Sequence, residues 1–541
     1  MLCEKRGAPG KKTRLISSIV ALMVVIASVV CFLPGCNDVD TFTEPTMEPD
    51  EYLVSLEKDA IARISDSLAK GYGATLGSYS ADISGGKISL GLNLSEDILT
   101  YAESMLEQQG MATELDWLKN INISLNATTD EKLMQLGLIL ALGNNDLVSA
   151  DAIFNMDSSL LLLTLPELSK DYLSIDFSEQ LPPKMLEDSL AQSAELAALL
   201  LESLPTEQQL KTLITTYAGV VLDNIDEVEK SNETITVGDA TQDMVVLTTK
   251  ITTEDILDIY NDVLKYAQTD ETLKAVLDSY GKYINKTVQM NGYTETLDLH
   301  EIALEAISEA LDALESAKED MPDGYMDLKV YVDKQNNIRG HVMSVYIDAE
   351  KIDEYELSYL TAVKDDTTYL NAEFNMVKIT GQKITKDGVS EGHLTLVVED
   401  EEMATLEFEN VAENRGTLRL FPGEALLDEA LSDSGVPTFL LSDNLGIELS
   451  YDMDGNKASC KFSIIAGSKA LIDVTLSSEV TEGGSITYPS NIVETENLAK
   501  WLAELDFDKL TAALEKANVP AELVDMVEYY EAYFKQTTPA A

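Results

Sequence analysis

The chain predicts an α+β fold made of two antiparallel β-meander units, each covered by amphipathic helices. Apolar residues alternate with a period of two in two long blocks, one before residue 180 and one after residue 325. Segments with helical spacing flank both blocks. The connections between alternating stretches are short and rich in turn residues, which suits hairpins rather than crossovers.

Leu53, Leu56, Ala60, Ile61, Ile64 and Leu68 recur at helical spacing, and Gly71 reads as the stop of this first helix. The period then becomes two. Ile88 to Leu94, Ile121 to Leu125 and Leu136 to Leu142 alternate with small or polar residues, and Gly143-Asn144-Asn145-Asp146 reads as a turn. Ile153 to Met156, Leu160 to Leu165 and Leu173 to Phe177 continue the meander. Leu160 to Leu163 are consecutive, so both faces of that strand are apolar and expected to be covered. Pro182-Pro183 start a helix whose Leu186, Leu190, Ala197, Leu200, Leu201 and Leu204 form the expected cover, and Pro205 ends it.

A second helix follows from about Thr206, then a hairpin over Glu233 to Val237 and Met244 to Ile251. Thr252-Thr253-Glu254-Asp255 resembles a capping box and opens the next helix. A longer one is predicted over Leu297 to Ala317. Past Met321-Pro322-Asp323-Gly324 the chain returns to strands, from Leu328 through Ile486 to Tyr488, with a short helix at Glu424 to Leu431. Trp501, Leu505, Leu510, Leu514, Leu523, Val527 and Tyr530 mark the closing helices. The expected organisation is therefore a leader (1–35), an acidic tether (36–50) and two α+β domains (51–321 and 322–541).

The leader carries the most specific signal. Lys5, Arg6, Lys11, Lys12 and Arg14 precede an apolar run from Leu15 to Leu33, and Leu33-Pro34-Gly35-Cys36 follows. This order resembles a bacterial lipoprotein signal, and the resemblance implies lipidation of Cys36 with cleavage before it. The alternative is an uncleaved anchor, since Leu15 to Leu33 at about 1.5 Å per residue reaches roughly 28 Å, near the roughly 30 Å of a hydrocarbon core. Either way the rest of the chain is expected outside the bacterial cell membrane, joined to it by the N-terminus. Asn37 to Asp50 is polar, acidic and twice interrupted by proline, as a tether should be.

Charge and cysteine usage narrow the partners. Thirty-eight Lys and Arg face 95 Asp and Glu, a formal net charge of −57. Such a surface repels phosphate backbones and anionic headgroups, so nucleic acid is excluded. Cleavage would leave Cys36 and Cys460, hence no internal disulfide. Alternation puts Cys460 beside Phe462 and Ile464, where a buried, unreactive thiol is expected.

The chemistry is mostly negative. His300, His341 and His393 are dispersed, and His300-Glu301 lacks the second histidine of a helical zinc motif. There is no nucleophile elbow, phosphate-cradling loop or dinucleotide fingerprint. Asp452-Met453-Asp454-Gly455-Asn456 reads as a hairpin turn rather than a calcium loop. Glu399 to Glu402 is one acidic cluster among many, and Gly85-Gly86 and Gly483-Gly484 read as tight turns. No catalytic residue, metal ligand or cofactor is expected.

Two non-enzymatic functions remain beside an unfavoured hydrolase. Curved sheets covered by helices on a lipid tether look like the architecture of bacterial lipoprotein carriers, and that resemblance implies a lipid or other apolar ligand held between sheet and helices, with the helix near Leu186 to Leu204 as lid. The alternative is an envelope scaffold that binds another protein or polymer. A lined apolar cavity would separate them.

Overall fold

Ser95, between a strand and Glu96-Asp97, accepts a hydrogen bond from the Ile98 amide at 3.4 Å and starts a helix there. Local signals of this kind set most of the elements of the computed structural model. It describes residues 47–537 apart from 80–84, 112–113, 131, 144, 181, 295, 319–322, 348, 353–354, 425, 428–444 and 482–483. Cys36, the leader and nearly all of the tether lie outside the described residues. Helix takes 38% and strand 42%, with one large, mostly antiparallel, open sheet of 21 strands, so the α+β expectation holds.

The chain divides into two compact units. The first comprises the described parts of Met1–Ser80, Glu195–Ala412 and Gly423–Leu426; the second those of Ala81–Ala194, Glu413–Pro422 and Leu427–Ala541. The expected boundary at Met321–Gly324 falls within the first unit. Strand β8 (Ala240–Thr252), before it, pairs with β9 (Gly324–Val332), after it, placing Leu247 opposite Val330. Both segments close the same apolar core, which no cut between them could preserve.

In the first unit, helix α1 (Pro49–Tyr79) lays Tyr52, Leu53 and Leu56 against Leu247, Val330 and Val332. Gly71 does not stop α1; an interior glycine costs only about 1 kcal/mol, which packing absorbs. Strands β7 (Glu229–Val237), β8, β9, β10 (Ile338–Ile347), β12 (Leu357–Lys364), β13 (Thr367–Phe374), β14 (Val377–Lys386) and β15 (Val389–Val398) pair successively, then β16 (Glu401–Val411). The short β11 (Glu350–Lys351) pairs with the end of β10. Gly238 in the β7–β8 turn has φ +53°, and a Cβ there would meet the Tyr369 ring at 2.4 Å, so glycine is required on two counts.

Helices α4 (Glu207–Leu222) and α5 (Thr253–Thr269) both start with capping boxes, Thr206 with Gln209 and Thr252 with Asp255, the second as the sequence predicts. Helices α6 (Glu271–Met290) and α7 (Leu299–Ala317) complete this unit. Helix α3 (Pro183–Ser203) has residues in both units.

The second unit gathers strands from both ends of the chain. Its order is β17 (Arg415–Pro422), β18 (Leu445–Asp454), β19 (Lys457–Ala466), β20 (Lys469–Thr481), β1 (Gly85–Leu94), β2 (Asn120–Asp130), β3 (Leu133–Leu142), β4 (Asn145–Asn155), β5 (Leu160–Thr164) and β6 (Tyr172–Asp176). β21 (Ile492–Glu494) joins β6 in parallel. Gly85-Gly86 is not a turn. It lies in the ladder between β2 and β20, where a Cβ on Gly85 would come within 2.8 Å of Thr481 Oγ1. Asp452 to Asp454 end β18, and Gly455-Asn456 form the two-residue β18–β19 hairpin turn, with Gly455 at φ +58°.

Helices α8 (Leu498–Ala503), α9 (Asp508–Lys516) and α10 (Ala521–Thr537) follow, and α2 (Glu96–Gln108) links β1 to β2. The cover of the first meander comes from the C-terminal helices. Leu168 and Leu173 pack with Trp501, Leu505 and Phe507, while Leu142 and Leu147 pack with Val519, Ala513 and Leu514. Leu162, paired with Ile153, is fully buried under Ile486 on the opposite face. The leucine run of β5 is therefore covered on both sides, as its pattern predicts.

Candidate functional site

Strands β17 to β3 of the second unit give the sheet two unlike faces. Direct partners in the ladder share a face. Leu140, Ile123, Leu90 and Leu476 lie in one row, and Ile121, Leu92, Val474, Phe462 and Leu449 in the next. Ile88 lies opposite Leu125, which lies opposite Leu138. Followed from β3 to β17, the rows of Ile88, Leu90 and Leu92 hold no charged side chain; Ser478 and Tyr451 supply the hydroxyls.

This face is open over most of its width. Ile88, Leu90, Leu138 and Leu476 are 45–52% exposed, and Phe462 is 43% exposed. At the β3 end, α9 lays Ala513 and Leu514 against Leu142 and Ile121. With strands about 4.8 Å apart and about 6.8 Å between same-face positions, the three rows cover roughly 600 Å². So many neighbouring exposed apolar side chains in one patch are uncommon on a monomer. Cys460 shares the face with Leu476 and Tyr451 and is exposed, contrary to the expected burial, because this stretch of sheet is uncovered.

The opposite face is polar. Arg419 Nε donates to Glu448 Oε2 at 2.8 Å, and Lys461 Nζ lies 3.3 Å from Glu448 Oε1 and 3.8 Å from Asp473 Oδ1. Burial pushes the Glu448 carboxyl up, but the hydrogen bonds from Arg419 and Lys461 outweigh it and hold it below its ordinary value. Towards β4, burial and then the charge of Glu167 push Asp151 up. Glu167 is itself fixed by the Ser149 amide at 2.8 Å and the Ser149 hydroxyl at 2.8 Å.

The three histidines stay apart in role. His341 meets Glu57 of α1 at 2.7 Å, and His393 sits in a polar concavity with Gln382, Tyr369 and Asn371. His300 lies with Asp278 and Asp298, their ligand atoms all within 4.8 Å of one another. Both carboxylates already have structural partners. Asp298 caps α7 by accepting from the Glu301 amide at 2.9 Å, and Asp278 accepts from Lys274 at 2.5 Å, whose hydrogen bond holds its carboxyl low. The sequence did not bring Asp278 to His300, because the approach depends on how α6 and α7 pack. Glu399 and Asp400 form a turn with φ +53° and +67°, consistent with a type I′ hairpin rather than an acid–base pair.

No helix among the described residues is long and apolar enough to cross a membrane. No family model matches the chain, nor does any curated protein or solved structure.

Proposed function

We propose that the protein is a non-catalytic lipoprotein of the bacterial cell envelope, anchored through Cys36, that binds an apolar or amphipathic ligand on the charge-free face of β17 to β3. The observation that carries the reading is that face: three uncharged rows spanning roughly 600 Å² of sheet, with Ile88, Leu90, Leu138, Phe462 and Leu476 exposed, on a chain with a formal net charge of −57. Removing such exposed apolar side chains from water favours an apolar partner at about 25 cal/mol per Å² buried.

Its composition favours an alkyl ligand over the protein partner of the scaffold reading. Protein interfaces are enriched in aromatic residues, Met and Arg, and make about one hydrogen bond per 100–200 Å². The three rows offer Phe462, Tyr451 and Met453 but no arginine, and their hydroxyls are those of Ser478 and Tyr451. Helix α9 packs onto Ile121 and Leu142 at one end of the face, and the rows beyond it stay open to a ligand.

Organic extraction of protein purified from membranes, followed by mass spectrometry, tests the reading. A retained amphiphile near one per chain is expected. Extracts without any amphiphile, together with no uptake of added long-chain lipid, would contradict it.

A further inference from the structure

The polar face of the second unit, behind the apolar one, carries a groove that the reading above does not use. It crosses the centre of the sheet, where β1 lies between β20 and β2, and measures about 320 Å³. Alternation aims Ser89 and Asn93 of β1, Asn120 and Asn122 of β2, and Thr475 and Ser477 of β20 to this side. Gly91 forms the floor. A Cβ there would lie 3.5 Å from Asn122 Nδ2 and 3.8 Å from Thr475 Cβ, so the space is open because the residue is glycine.

The lining is chemically unusual for this chain, in which 25% of residues are charged. Every polar side chain of the groove is neutral. Among the described residues, the side chains of Ser89, Asn93, Asn120, Thr475 and Ser477 make no hydrogen bond, and Asn122 accepts one, from Ser124 at 3.3 Å. In the row of Asn93 and Asn120, on the far side of Asp473, Ser463 is fully buried with its Oγ unpartnered. A second concavity of about 430 Å³ shares Ser89 and Ser477 and is lined also by the charged Lys87, Asp452, Lys457 and Glu479. Asp473, across from Asn93, and Lys461, across from Thr475, border the groove without lining it and are paired with each other at 3.8 Å.

We infer that this groove binds a neutral oligosaccharide. Amides and hydroxyls that both donate and accept match the paired hydroxyls of a sugar. The absence of cationic groups from the lining disfavours phosphate or carboxylate ligands, and its few apolar groups disfavour acyl chains. No aromatic ring lines the groove, so affinity rests on hydrogen bonds that each contribute modestly, and dissociation constants near 1 mM are expected.

Saturation-transfer NMR on the full chain with cellotetraose and chitotetraose tests this. Transfer is expected to one or both, with weaker or no transfer to glucose 6-phosphate. Asn93→Ala/Asn120→Ala removes two partners and should weaken binding about tenfold or more. Gly91→Val fills the floor with a residue that suits strands and should abolish it. Cooperative unfolding of each variant separates loss of the site from loss of the fold, and the paired alanine variant stands alone if the valine does not fold. Absence of transfer at ~10 mM, a level well above the ~1 mM expected, would overturn the inference. So would undiminished binding by the alanine variant, or tighter binding of glucose 6-phosphate.

Discussion

Leu90 of β1 lies directly across the ladder from Leu476 of β20, and the two are 45% and 50% exposed. More than two thirds of the chain separates them, yet β1 pairs with β20 on one side and β2 on the other. The second unit is thus closed by its last strands, and its apolar face is a joint product of the two ends of the chain.

A fragment of residues 51–321 should therefore fail to unfold cooperatively, since β1 loses β20 and β8 loses β9. Circular dichroism against temperature checks this. Mixing in residues 322–541 should restore a transition, whereas a fragment that melts sharply by itself would restore the boundary near residue 321.

Asp151 should be a site of stabilisation. Burial and Glu167 raise its pKa above 3.8, so the ionised form costs the folded state at neutral pH and the cost disappears as the pH falls through the folded value. Asp151→Asn should raise Tm at pH 7 and leave it unchanged near pH 3. Calorimetry at both values would show it. A lower Tm at pH 7 would mean that the carboxylate has a stabilising partner.

Glu448 should behave oppositely. Its folded pKa lies below 4.5, so its contribution is full above 4.5 and is lost as the pH falls through the folded value. Glu448→Gln should lower Tm at pH 7 and narrow that difference on acidification. A constant difference across pH would assign the loss to shape rather than charge.

Cys36→Ser should release the protein from membranes and remove incorporation of a fatty-acid analogue, because a single weak attachment holds poorly where two acyl signals hold stably. Unchanged label and membrane fraction would contradict the anchor.

Local chemistry was legible in the sequence. Thr252 to Asp255 announced its helix, Leu160 to Leu163 announced a doubly covered strand, and the Gly455-Asn456 turn closed its hairpin. Ser95-Glu96-Asp97 was an equally good start signal, masked by the alternating strand before it. What stayed hidden was long-range pairing. Alternation states that Leu90 and Leu476 each face one side of a sheet, but not that they meet. For the same reason Cys460 was expected inside a core, and the alternating Ser89, Asn120 and Thr475 gave no sign of a shared groove.

The central claim is that the face of Leu90 and Leu476 receives an apolar ligand. Leu90→Asp places a charge in its centre, while Asn126→Asp places the same charge on the opposite face of β2, opposite Lys87. Titration of delipidated protein with a solvatochromic long-chain probe compares them directly. The account predicts at least tenfold weaker binding in Leu90→Asp and little change in Asn126→Asp, about 1.4 kcal/mol against nearly none. Equal binding by both variants and the unaltered protein would contradict it.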